Sequence, residues 1–86
     1  MNGRDTALEL RALIAEIVGL DPAVTAGLVD DTPLLDGQIG LSSRGGARLL
    51  IEIRERFGVD VAGEDLALRS LATIGTLTAF VDPRRP

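Results

Sequence analysis

Apolar residues recur at helical spacing in three stretches of the chain. Leu10, Leu13, Ile14, Ile17 and Val18 follow the i, i+3, i+4, i+7, i+8 pattern of one buried helix face. They predict a first helix over about Thr6 to Val18. Thr6 and Glu9 have capping-box spacing at its start, and Gly19 and Pro22 are stop signals at its end. Gly46, Leu49, Leu50, Ile53 and Phe57 define a second helix over about Ser43 to Phe57. Gly58 fits the position after that helix, where left-handed backbone is common. Ile74, Leu77 and Val81, with Phe80 beside them, predict a last helix capped by Thr73 and ended by Asp82-Pro83. A short helix is expected near Glu64 to Leu68, with Leu66, Leu68 and Leu71 plugging the bundle. Val59-Asp60-Val61 is too short to make a sheet and reads as a linker that buries two valines.

Between the first two helices lies a long loop, about Leu20 to Leu41, punctuated by Pro22, Gly27, Pro33, Gly37 and Gly40. Loops of this length in a small domain are often functional. Leu28, Leu34, Leu35 and Ile39 are expected to pin it onto the bundle. Asp30 and Asp31 read as solvated loop charges, since two adjacent carboxylates without further ligands are weak evidence for a metal. Arg84-Arg85-Pro86 reads as a frayed tail. The predicted fold is all-α: a four-helix bundle with three main helices, one short helix and a long first loop. Residues 1–86 read as a single domain, with an ordered core at about 6–82 and a frayed end at 83–86.

Composition narrows the chemistry. The chain has 86 residues, enough for one modest core. Hydrophobic residues make up 45%, yet Phe57 and Phe80 are the only aromatics. A core of Leu, Ile, Val and Ala favours helices over a β-sandwich. There is no Cys and no His. Thiolate nucleophiles, imidazole bases, disulfides and the usual zinc ligands are thereby excluded, and no metal site is expected. The net charge of −4 argues against nucleic acid as a partner. No apolar run approaches the length of a membrane span, and the N-terminus lacks a signal peptide's apolar block. A monomeric cytoplasmic protein is the expectation.

The stretch Ile39-Gly40-Leu41-Ser42-Ser43, followed by a helix ending Arg54-Glu55-Arg56-Phe57-Gly58, resembles the phosphopantetheine-attachment region of acyl and peptidyl carrier proteins. In that family a Gly precedes the modified Ser by a few residues, and a Phe-Gly-like pair closes the helix fourteen positions after it. Ser43 and Phe57 have that separation. Asp31-Thr32-Pro33-Leu34-Leu35 resembles the family's loop segment, and Gly63-Glu64-Asp65-Leu66 its third-helix start. The resemblance covers about Thr6 to Val81 and implies a bundle of the acyl-carrier type. It implies that a phosphopantetheinyl transferase moves 4'-phosphopantetheine from coenzyme A onto the Ser43 hydroxyl. The arm's terminal thiol then holds the cargo as a thioester, which accords with a chain that has no Cys of its own. A Ser at a helix start suits this role, because free backbone donors and the helix dipole favour the phosphodiester's charge there.

The chain departs from the family pattern around that Ser. Ser42 stands where the family has Asp or His, Arg44 where it has Leu or Ile, and Gly45-Gly46 fill the first turn. Register assigns the helix cap to Ser42 and the arm to Ser43. Fatty-acid carriers have an acidic second helix, whereas this one carries Arg44, Arg48, Arg54 and Arg56 against Glu52 and Glu55. Arg48–Glu52 and Glu52–Arg56 are i, i+4 pairs that fit a solvated face. Ser42, Arg44 and Arg48 are the candidate partner-binding residues, with Arg44 directed at an acidic partner surface or at the arm's phosphate.

The expected function is therefore that of an acyl carrier in polyketide or related specialised biosynthesis, antibiotic pathways included. Its expected partners, besides the transferase, are an acyltransferase or adenylate-forming ligase and downstream biosynthetic enzymes. One alternative is an aminoacyl or aryl carrier of the peptidyl type, loaded by an adenylate-forming ligase. Another is an unmodified helical interaction module. An enzyme is not expected, because no base can be assembled near Ser43 without His or Lys.

Overall fold

The computed structural model describes residues 3–35, 37, 39–61 and 71–86. Helix α1 spans Gly3–Val18, α2 Pro22–Ala26, α3 Ser43–Phe57 and α4 Ile74–Val81, with a 3-10 turn at Asp82–Arg84 after it. Among the described residues the single extended pairing is an isolated antiparallel bridge between Pro33 and Thr73. The described residues form the all-α bundle that the three apolar stripes predict. The short helix expected at Glu64 to Leu68, together with Leu66 and Leu68, lies outside the described residues.

Helix α1 packs against α2, α3 and α4. Its Leu10, Leu13 and Ile14 are buried, with Ile17 and Val18 at the edge of the core. Leu49, Ile53 and Phe57 of α3 and Ile74, Leu77 and Val81 of α4 meet them. Val59 and Val61 are buried, as the linker reading requires. Each such side chain contributes about 1.5–3 kcal/mol through removal from water. Gly58 closes α3 with a left-handed φ of 70°, and its N–H donates to the Arg54 carbonyl. A side chain at that φ would be strained.

The first loop is more ordered than its sequence suggests. It contains α2, which begins with Asp21 as cap and Pro22 in the first turn; the Asp21 carboxylate accepts from the Ala23 N–H at 2.9 Å. Pro22 is therefore a helix start, not only the stop signal for α1, because its fixed φ and missing N–H suit the first helical position. Further along, the loop is stitched to the entry of α4. Leu34 N–H donates to Ala72 O, Ile74 N–H to Thr32 O and Gly75 N–H to Asp30 O, at 2.8 to 3.1 Å. Leu34 and Ile39 are buried as expected, and so is Leu41, whereas Leu35 is 53% exposed and pins nothing.

Gly75 marks the tightest approach in this joint. A Cβ there would stand 3.0 Å from Asp30 Cβ and 3.1 Å from Asp30 O. The backbone oxygen cannot swing away as a flexible side chain could. Gly75→Ala should lower stability by about 1–3 kcal/mol despite Ala's better helix propensity. A urea titration would read this, and an unchanged or raised midpoint would contradict it.

Two further expectations are corrected. Helix α1 begins before Thr6, and Thr6 is no cap. Its buried hydroxyl donates to Asp82 Oδ1 and accepts from Arg85 Nη1 at 3.0 Å. The C-terminal residues are correspondingly held, not frayed. Arg85 pairs with Glu9 at 3.1 Å and lies over the Phe57 ring, and Arg84 lies over Phe80. The capping box occurs instead at α4, where Thr73 Oγ1 accepts from Thr76 N–H and Thr76 Oγ1 from Thr73 N–H. Thr73 is the cap that the α4 pattern predicts.

Candidate functional site

The start of α3 is set by what precedes it. Leu41 N–H donates to Leu34 O at 2.8 Å, which ties the entry of α3 to the first loop. The buried Leu41 side chain then rests against the first turn of α3. A Cβ at Gly45 would lie 3.2 Å from Leu41 Cδ1 and 3.6 Å from Ile17 Cγ2. Gly45 thus permits close approach of the loop and of α1. At Gly46 the nearest such atom is Leu41 Cδ2 at 3.9 Å, ordinary contact, and nothing in the structure requires glycine there.

Ser42 is the N-cap. Its backbone is extended and its Oγ accepts from the Gly45 N–H at 3.0 Å. Ser43 is the first helical residue, exposed, and its hydroxyl has no hydrogen-bond partner among the described residues. The two adjacent serines therefore do different things: one is occupied by the cap and the other is free. Ser42→Ala should cost about 1 kcal/mol of stability through the lost cap. Thermal melting would check this, and a stability unchanged within a few tenths of a kcal/mol would contradict it.

The electrostatics of this end favour an anion. The N–H groups of Ser43 and Arg44 belong to the helix start, where no intrahelical acceptor exists. The first turn of α3 contains no acid. Arg44 and Arg48 are exposed and have no ion-pair partner among the described residues. Of the two i, i+4 pairs expected on α3, only Glu52–Arg56 forms, at 2.9 Å. Arg56 also reaches Glu16 of α1 at 3.1 Å. The hydrogen bond to Glu16, reinforced by Glu52, holds the Arg56 guanidinium even above its usual range.

An exposed primary hydroxyl supplies the oxygen on which a phosphodiester can be built, and the N–H groups of the helix start and a neighbouring cation supply donors for its charge. The family model of the phosphopantetheine attachment site matches residues 9–81. The chain belongs to this family. No curated protein and no solved structure gives a significant match to it. Membership makes 4'-phosphopantetheine the prosthetic group of this carrier protein, and the chemistry around Ser42 and Ser43 fits that group.

The remaining candidates sort as follows. Asp30 is not merely a solvated charge in this carrier: its Oδ1 accepts from Arg11 Nη2 at 2.7 Å, although the carboxylate stays 73% exposed. Among the described residues no three acidic side chains gather as a metal site would need, and no helix is long and apolar enough to cross a membrane. Arg11 is the structurally important residue that the sequence does not advertise. It interrupts no apolar stripe, and its partners lie on the loop, so spacing along α1 gives no sign of them.

Proposed function

We propose that the chain works as one carrier domain whose arm is attached at the Ser43 hydroxyl. The observation that carries this reading is the division of labour at the start of α3. Ser42 caps the helix, and the Ser43 hydroxyl is exposed and without a hydrogen-bond partner among the described residues. The arm, when bound, supplies a terminal thiol that holds an acyl group as a thioester. The chain's own residues present the hydroxyl on a rigid helix start, offer N–H donors to the phosphate and leave the surrounding surface open to large enzymes. They include neither His nor Lys to act as the base. Deprotonation of Ser43 falls to the phosphopantetheinyl transferase, and the carrier is not itself an enzyme.

The cargo is an acyl-type intermediate of polyketide or related specialised biosynthesis, loaded by a separate acyltransferase or ligase. The arginines of α3, unlike the acidic helix of fatty-acid carriers, support specialised over housekeeping synthesis. They equally suit a peptidyl-type carrier loaded by an adenylate-forming ligase. Ser42, Arg44 and Arg48 border Ser43 and contact these partners. Incubation with coenzyme A and a broad-specificity transferase, followed by intact mass, tests the reading. A gain of one arm is expected; no gain with several transferases would indicate an unmodified interaction module.

A further inference from the structure

A second concave surface lies apart from α3. A groove of about 540 Å³ opens where α1, α4, the end of α2 and the loop after it meet, and among the described residues none of α3 lines it. Ala7, Ala26, Gly75 and Ala79 line it with nothing longer than a methyl group. Leu8 lines it as well. That side chain lies off the core-facing stripe of Leu10, Leu13 and Ile14 and is 51% exposed. The groove is thus apolar, open and unfilled by the chain's own side chains.

Its polar groups are of one kind. Among the described residues Arg11 is the single cation that lines it, and that guanidinium is engaged by Leu28 O, Ala7 O and Asp30 Oδ1. Asp30 uses only Oδ1 in this contact; its Oδ2 has no hydrogen-bond partner among the described residues, and the carboxylate is mostly exposed. Asp31 follows it, exposed and without an ion-pair partner among the described residues. Thr78 Oγ1 already donates to Ile74 O, so towards a ligand it can only accept. The groove therefore offers acceptors and negative charge beside apolar surface. Its occupant must bring donors, positive charge and apolar side chains.

The occupant's backbone is constrained too. The sides of the groove are helices, whose N–H and C=O groups are bonded along their own axes. An extended segment would find no ladder to join there, whereas a helix satisfies its own backbone. We infer that this groove is the docking site for a cationic amphipathic helix of a partner protein, which sets an apolar stripe against Leu8 and the alanines and a Lys or Arg beside Asp30. The inference goes beyond the carrier reading. Because α3 contributes nothing to the groove, the helix and an enzyme working at Ser43 can be bound at once. A partner held there keeps the arm within reach at the effective concentration of a tether.

The probe is a stapled helical peptide of Leu, Ala and Lys, about 18 residues long, with its Leu residues on one stripe. The same peptide with Glu in place of Lys is the control. Amide chemical shifts of the native chain are followed during titration. The Lys peptide should shift the amides of Ala7, Leu8, Ala26 and Ala79 and leave those of Arg44 to Ile51 in place. The Glu peptide should bind at least about tenfold more weakly. Asp30→Asn should weaken the Lys peptide about threefold, and Ala79→Phe, which fills the groove from an exposed position of α4, about tenfold. Ala26→Phe fills it from α2 and repeats the test should the α4 variant not fold. Ser43→Ala should bind like the native chain. No binding of the Lys peptide, shifts centred on α3 or spread over the chain's acids, equal binding of the Glu peptide, or indifference to the two Phe variants would overturn the inference. Failure of the carrier reading has a separate readout: no arm is gained from coenzyme A, and these shifts are unchanged.

Discussion

Replacing Arg11 by Ala should destabilise the fold by about 2–4 kcal/mol, the largest effect expected of any charged residue here. Arg11 lies in α1 with its side chain only 9% exposed. Nε and Nη2 both donate to Leu28 O, at 3.1 and 3.0 Å; Nη1 donates to Ala7 O at 3.1 Å and Nη2 to Asp30 at 2.7 Å. The ion pair is the lesser part of this, because Asp30 is mostly in water and screened. The greater part is the fork on Leu28 O together with the buried stem, which join the first loop to α1. Asp30→Asn should therefore cost less than about 1 kcal/mol. Arg11→Lys should not restore stability, because an ammonium cannot reproduce the two-point contact. Urea unfolding of the three variants decides the matter. An Arg11→Ala loss below about 1 kcal/mol, or an Asp30→Asn loss equal to it, would contradict this account of how the loop is held.

Ser43→Ala should abolish arm attachment while leaving stability within about 0.5 kcal/mol of the native chain. The side chain is exposed and makes no hydrogen bond among the described residues, so truncation removes nothing that the fold uses. Ser42→Ala should do the reverse, losing the cap to Gly45 while keeping the arm. Intact mass after incubation with coenzyme A and a transferase, with thermal melting in parallel, separates the two. Attachment lost in Ser42→Ala and kept in Ser43→Ala would show that the roles are exchanged. Attachment lost in both, with melting unchanged, would mean that the transferase reads the pair and not a single hydroxyl.

What could be read from the sequence divides by the range of the forces involved. Helix α3 was legible from end to end, because its cap, its apolar stripe and its closing glycine are all local signals. The same holds for α4, where Thr73 caps as its position suggests. The start of α1 was not legible. Thr6 and Glu9 have the spacing of a capping box, but Thr6 is claimed by Asp82 and Arg85, more than seventy residues away. The same distant contacts make 84–86 an anchored end where composition suggests a loose one. Helix α2 had a signal that could have found it: Asp-Pro followed by Ala-Val-Thr-Ala is a capped helix start. Arg11 had none, since its value lies in carbonyls contributed by the folded loop. Of the candidate site, the separation of Ser42 as cap from Ser43 as free hydroxyl could be anticipated from register. The unequal pairing of the α3 arginines could not, because it depends on Glu16 crossing from α1 to Arg56.

The central claim is that the hydroxyl left free beside the cap carries the arm. Fragment-ion mass spectrometry of the modified chain, across the peptide containing Ser42 and Ser43, tests it most directly. The arm's mass is expected on Ser43 alone. Its appearance on Ser42, or on no residue of that pair, would contradict the claim.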